Sequence, residues 1–228
     1  MLTLENISFA YQQKAVLNGI TLRLEDGLVH GILGPNGSGK TTLFNVIAGR
    51  LQQDEGDIRY HDRRISTDMI GYLETNLFFY SLMTGREYLE LHARGNNDFP
   101  ISKWNDIFNL PLDHLIESYS SGMKKKLAIM GHIGLDRPIM LLDEPFNNLD
   151  LEANQFLAAL IRMLAKKGKL IFLSSHFMEV ITTVCDRVQV LQKGTITEMV
   201  QREEFDEWKG QHRFSQIEAA KKQARKLL

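Results

Sequence analysis

A mostly apolar run, Leu28-Val29-His30-Gly31-Ile32-Leu33, leads straight into Gly34-Pro35-Asn36-Gly37-Ser38-Gly39-Lys40-Thr41, and a helical pattern opens at Thr42. The order strand, glycine loop, helix satisfies G-x-x-x-x-G-K-[ST] in the context its mechanism demands, which narrows the chain to an α/β fold built on a phosphate loop. Glycines let the backbone turn its N–H groups inward with no Cβ in the way. Loop and helix N-terminus together then surround phosphate oxygens with donors and partial positive charge. Asn36, Gly37, Ser38 and Gly39 form that cradle. Lys40 adds a full charge on the β and γ phosphates, Thr41 offers a hydroxyl to Mg²⁺, and Thr42 is placed to touch the α phosphate.

Further on, the apolar strand Ile139-Met140-Leu141-Leu142 runs into Asp143-Glu144. In an open α/β sheet this puts both carboxylates at the carboxyl edge, the edge that carries the phosphate loop. Asp143 can then hold the water shell of Mg²⁺. Glu144, on the other side of the pleat, can orient or deprotonate the water that attacks the γ phosphate. A bare Asp-Glu pair carries little weight; after a buried strand and beside the loop it carries much more.

The rest of the chain has to supply a sheet for these elements. Residues 2–9 and 20–24 alternate apolar and polar side chains, with Asp26-Gly27 as the turn, and 56–60 and 69–73 read as further short strands. Between 75 and 119 the strand signal disappears: 82–94, 102–110 and 112–117 read as helices separated by Gly95, Pro100 and Pro111. Helix and strand then alternate through Ile139–Leu142, Leu151–Lys166, 170–174, 176–184 and 188–192, as a mainly parallel sheet wrapped by helices requires. The expected layout is one domain: a phosphate-loop NTPase core over 1–74 and 120–200 with an N-terminal antiparallel β subdomain, an inserted α-helical subdomain over 75–119, and a helical tail over 201–228. The tail is acidic first and basic last, which suits a solvated helix.

At 228 residues the chain can bury a large core, and Lys+Arg 27 against Asp+Glu 28 leaves no basic field that would recommend nucleic acid. Cys185 is the only cysteine, so a reducing cytoplasm fits and a disulfide framework does not. The longest apolar runs fall far short of the roughly 20 residues that span a bilayer.

Taken together, these motifs resemble the nucleotide-binding subunits of ATP-binding cassette (ABC) transporters, from Tyr11 to about Ile196. Tyr11 matches the aromatic on which adenine stacks. Tyr119-Ser120-Ser121-Gly122-Met123 is similar to the family signature Leu-Ser-Gly-Gly-Gln, departing from it at Tyr119, Ser121 and Met123. The resemblance gives Ser120 a hydroxyl contact and Gly122 an N–H contact with the γ phosphate held by the opposite subunit, while the lysines that follow read as solvated surface. Phe146-Asn147-Asn148-Leu149-Asp150 matches the loop that crosses the dimer interface, with Asp150 its acidic member, and His176 matches the switch histidine. The loop that usually brings a glutamine to the metal is the weakest match. Counting back from Thr84 places Thr75 there and a one-residue slip places Glu74; Glu74 is the preferred metal ligand because it offers an oxygen of similar reach.

The resemblance implies an ATPase using ATP and Mg²⁺, working as a homodimer or paired cassette. It would sit peripherally on the cytoplasmic face of the cell membrane and drive a separate integral membrane permease. The exposed part of the Phe78, Phe79, Tyr80 and Met83 cluster is the expected docking groove. The short insert and the Tyr-Ser-Ser-Gly-Met signature look most like bacterial exporter cassettes of the antibiotic-resistance type. The alternative is a soluble cassette ATPase acting on ribosomes or DNA, and a nucleotide-binding regulator without turnover is a third reading, disfavoured by Glu144 and His176.

Overall fold

The computed structural model describes residues 1–96 and 98–211. Its strands are β1 (Leu2–Tyr11), β2 (Lys14–Leu24), β3 (Val29–Leu33), β4 (Glu55–Tyr60), β5 (Arg63–Arg64), β6 (Ile70–Leu73), β7 (Ile139–Leu142), β8 (Leu170–Ser175), β9 (Arg187–Gln192) and β10 (Thr195–Gln201). Its helices are α1 (Lys40–Ile47), α2 (Gly85–His92), α3 (Ile101–Phe108), α4 (Ser121–Leu135), α5 (Leu151–Lys166) and α6 (Met178–Val184).

Two sheets result. One is antiparallel in the order β2-β1-β4-β5; the other runs β10-β9-β3-β8-β7-β6 and is parallel except for β10. β3 is buried at every position, as a central parallel strand covered on both faces should be. One face packs with α1 against the antiparallel sheet, around Phe44 and Phe172. The other packs under α4, α5 and α6. Register then positions the chemistry: Leu33 pairs with Ser175, Leu142 with Leu173, and Leu73 with Leu142. Residues just past β3, β6, β7 and β8 therefore emerge at one carboxyl edge, where α/β sheets place their ligands.

Several sequence expectations need correction. The first hairpin turns at Gln12-Gln13, not at Asp26-Gly27, which instead lies between β2 and β3. The helix expected over 82–94 is only α2, because Leu82 sits at φ 60 and Thr84 caps the helix in a reciprocal box with Glu87. Residues 112–117 form no α-helix. Their backbone groups go to the start of α2 and the residues just before it: Arg86 N–H to the Leu112 carbonyl (2.8 Å), Gly85 N–H to the His114 carbonyl (3.3 Å) and Ile116 N–H to the Met83 carbonyl (2.9 Å). With the Leu112 carbonyl and the Ile116 N–H engaged elsewhere, the α-helical bond between them is lost, and only a 3-10 turn at Ile116–Ser118 forms. α6 opens at Met178, which leaves His176 on the preceding loop. The expected tail helix begins late, since β10 runs to Gln201 and helical residues occupy 205–211, with Phe205 and Trp208 buried. Its basic end, 212–228, lies outside the described residues. Among the described residues no helix is long and apolar enough to cross a membrane.

Candidate active site

The phosphate loop has the backbone its sequence demands. Gly37 and Gly39 adopt φ 79 and φ 111, and a Cβ at Gly34 would lie 2.4 Å from the Leu191 carbonyl oxygen. Lys40 Nζ folds back into the loop, donating to the carbonyls of Gly34 (2.7 Å) and Pro35 (3.2 Å), and is only 6% exposed. Burial pulls its ammonium below the ordinary lysine range, while Glu144 and Asp143 oppose that pull. Ser38 Oγ is buried with no hydrogen-bond partner among the described residues and faces Gly34, where an added Cβ would lie 2.6 Å from it.

Asp143 is fully buried and gathers three hydroxyls. Thr41 Oγ1 and Thr75 Oγ1 each donate to its Oδ2 at 2.8 Å, and Ser174 Oγ donates to Oδ1 at 2.5 Å. A carboxylate with two hydroxyls converging on one oxygen is a hard, all-oxygen set suited to Mg²⁺ beside phosphates. Glu144 has φ 49, a left-handed conformation that turns its side chain out of the strand's alternation. Its N–H donates to Ser174 Oγ (2.8 Å), and its Oε1 accepts from His176 Nδ1 (2.9 Å) and lies 3.8 Å from Lys40 Nζ.

These groups open into a cavity of about 530 Å³ lined by Asn36, Gly37, Gly39, Lys40, Thr41, Thr42, Glu144 and His176, with Val16, Thr75, Asn76 and Asn147 completing the wall. Such a space, with a charged amine, a carboxylate, hydroxyls and an imidazole in its wall and Asp143 buried behind Thr41 and Thr75, can take a nucleotide's phosphates and activate a water beside them. Tyr11 stands half-exposed at the end of β1, edge-on to Phe9 at 4.8 Å.

Glu74 is elsewhere. Its carboxylate pairs with Arg50 at 2.5 Å, beyond the C-terminus of α1, whereas Thr75 reaches Asp143. Of the two residues expected at this loop position, Thr75, the one given by counting back from Thr84, is the one within hydrogen-bond reach of Asp143, while Glu74, the expected metal ligand, is turned to Arg50. Tyr11, Ser38, Ser120, Gly122 and Asp150 do not line the cavity. Ser120 is the exposed N-cap of α4, accepting from Met123 N–H (3.2 Å); Asp150 is the N-cap of α5, accepting from Ala153 N–H (2.7 Å). Tyr119 is buried and donates to the Pro111 carbonyl at 2.6 Å.

Sequence reasoning missed Val16, Asn76, Asn147, Ser174 and Lys125. Lys125, read as solvated surface, is 5% exposed and donates to the Glu144 main-chain carbonyl at 3.3 Å. A signal existed, since Lys125, Ala128, Ile129 and His132 share one helical stripe and all are buried.

The ABC transporter family model matches residues 17–147. The chain belongs to the ABC transporter family. It is 31% identical over 209 residues to YdbJ of Bacillus subtilis (strain 168), an uncharacterized ABC transporter ATP-binding protein, across 86% of this chain and 68% of that protein. The linearmycin resistance ATP-binding protein LnrL of the same organism is 26% identical over 209 residues, across 85% of this chain and 67% of LnrL. Among solved structures, an ATP-binding subunit of an ABC transporter superimposes with a TM-score of 0.84 at 24% identity, covering 92% of this chain and 93% of that chain. A dimeric post-hydrolysis state of the cassette MJ0796 bound to ADP and Pi gives 0.79 at 20% identity, covering 89% and 99%. At such identities the superpositions speak for the fold. As an ABC cassette, the chain is an ATP-binding, ATP-hydrolysing transporter subunit.

Proposed function

We propose that this ABC cassette hydrolyses ATP as one half of a pair and thereby drives export through a separate membrane permease. The observation that carries the reading is the convergence of His176 and Lys40 on Glu144 Oε1 within the phosphate-loop cavity. Adenine stacks on Tyr11, and the amides and side chains of 36–42 hold the phosphates. Thr41, Asp143 and Thr75 hold Mg²⁺, which when bound neutralises phosphate charge. Lys40 leaves the loop carbonyls for the β and γ phosphates. Glu144 then accepts the proton of the attacking water, and His176, hydrogen-bonded to it, keeps the carboxylate aimed.

The signature of a second copy, Ser120 and Gly122 at the start of α4, closes over the γ phosphate, where a helix N-terminus favours an anion. The loop ending at Asp150 lies at the interface between copies. Residues 1–74 and 120–200 form the ATP-binding core, and 75–119 form the insert that meets the permease at the cytoplasmic face of the membrane. Phe78 (72% exposed) and Tyr80 (59%) supply the contact surface, with Phe79 and Met83 half-buried beneath it. Export is favoured by the likeness to LnrL and by the Tyr-Ser-Ser-Gly-Met signature.

Glu144→Gln tests the core of the proposal. It should keep ATP binding within a few-fold and lower turnover by roughly 10²- to 10⁴-fold. Unchanged hydrolysis would remove Glu144 from its role.

A further inference from the structure

Lys125 is a cation buried where a solvated lysine would be expected. Its ammonium reaches the main-chain carbonyl of Glu144 at 3.3 Å, and that carbonyl also accepts from Asn147 N–H at 3.3 Å. On the other side, the Glu144 N–H is held by Ser174 Oγ. The peptide groups flanking a left-handed residue are thus pinned from both directions, which such a conformation needs to persist in a side chain larger than glycine. Burying an ammonium is costly unless charge nearby compensates. Here burial draws the Lys125 pKa down to about 8, while Asp143 and Glu144 draw it back up. A neutral side chain of similar length would fill the same space at less expense, so the charge asks for a functional explanation.

The helix that carries Lys125 supplies one. α4 begins with Ser120 as its N-cap, and Lys125 lies little more than one turn further along. We propose that Lys125 is a positioning residue for hydrolysis: its ammonium ties the signature helix to the Glu144 carbonyl, so the aim of the carboxylate depends on where that helix stands. A shift of α4 on meeting the opposite copy's nucleotide is thereby felt in its own site. The inference rests on the reading of Glu144 as the residue that activates water.

The test uses the full chain with Lys125→Met, Lys125→Gln and Lys125→Arg, comparing ATP affinity, KM and kcat at fixed Mg²⁺. Lys125→Met should lower kcat by roughly 10- to 100-fold, the scale of a small misplacement of a reacting group. ATP affinity should stay within about twofold, and Lys125→Arg should recover most of the rate. Lys125→Gln, which keeps a donor without the charge, should fall between, and it replaces Met if Met does not fold. Wild-type kcat in Lys125→Met, an equal loss of ATP affinity, an Arg variant no better than Met, or failure of all three variants to fold would each overturn the proposal. Glu144→Gln separates the two readings. If that variant still turns over, the assignment of Glu144 fails; if it is inert while Lys125→Met is fully active, only the role of Lys125 falls.

Discussion

The phosphate-loop half of the site and the signature half are built on opposite plans. In the first, Lys40, Asp143, Glu144 and Ser174 are buried; hydrogen bonds join Asp143, Ser174 and Glu144, Lys40 pairs with Glu144 at 3.8 Å, and three hydroxyls gather on Asp143. In the second, Ser120, Ser121, Asn148 and Asp150 are exposed, and Ser120 and Asp150 spend their side chains capping their own helices. By helix geometry the first-turn amides of α4 have no acceptor within the helix. A finished half beside an open one implies that the missing wall comes from outside the chain, as the paired arrangement proposed above supplies it.

The sharpest way to break this contrast is to damage the open half alone. Gly122→Asp places a carboxylate at the start of α4, where a Cβ meets only the Asn148 carbonyl oxygen at 3.6 Å and Ser120 Oγ at 4.0 Å, so the fold should accommodate it. Turnover should fall by roughly 10²- to 10³-fold, because the new carboxylate repels the opposite copy's γ phosphate and undoes what the neighbouring amide donors contribute. Monomer ATP affinity should be unchanged in equilibrium binding; a matching loss of affinity would show that the two halves are not separate. Lys40→Ala damages the finished half, and should weaken ATP binding itself by roughly 10- to 100-fold. Unaltered affinity in a nucleotide titration would contradict the cavity assignment.

A smaller effect distinguishes neighbours in sequence. Thr75→Val keeps the shape and removes the hydroxyl from Asp143, and should raise the Mg²⁺ concentration needed for half-maximal turnover, by roughly tenfold at most. Glu74→Gln breaks only an exposed pair with Arg50, worth about 0.2–1 kcal/mol, and should leave that requirement alone. The reverse pattern in a Mg²⁺ titration would restore Glu74 to the site.

Glu74 and Thr75 are adjacent in sequence but end in different surroundings. Past the end of β6 the strand alternation that fixes a side chain's direction no longer operates, so composition alone favours the carboxylate. What decides is tertiary: Arg50 at the end of α1 captures Glu74, and Asp143 captures Thr75. The phosphate loop, Asp143, Glu144 and His176 were legible because each follows a buried parallel strand whose register sends it to one edge. Residues 112–117 were not legible as non-helical, because their partners, Met83, Gly85 and Arg86, lie some thirty residues away in the chain, at the start of α2. Lys125 could have been found from its place on the buried stripe of α4, had the stripe outweighed its charge.

The smallest effect concerns the scaffold. Burial pushes His30, His92 and His132 below the ordinary histidine value of 6.5. The folded chain keeps them neutral while the unfolded chain takes up protons as pH falls through 6.5, so stability should decline below that value. Denaturant unfolding at about pH 7.5 and about pH 5.5 should show a smaller decline in His132→Gln than in the wild type. Equal declines would exclude His132 as a contributor.

The claim on which the whole account rests is that one chain holds only half of each working site. Sedimentation velocity of the full-length Glu144→Gln chain, with and without ATP and Mg²⁺, tests it most directly. The account predicts a monomer without nucleotide and a dimer once ATP is bound, with Gly122→Asp added to the same chain abolishing the dimer. A chain that saturates with ATP and stays monomeric throughout would contradict it.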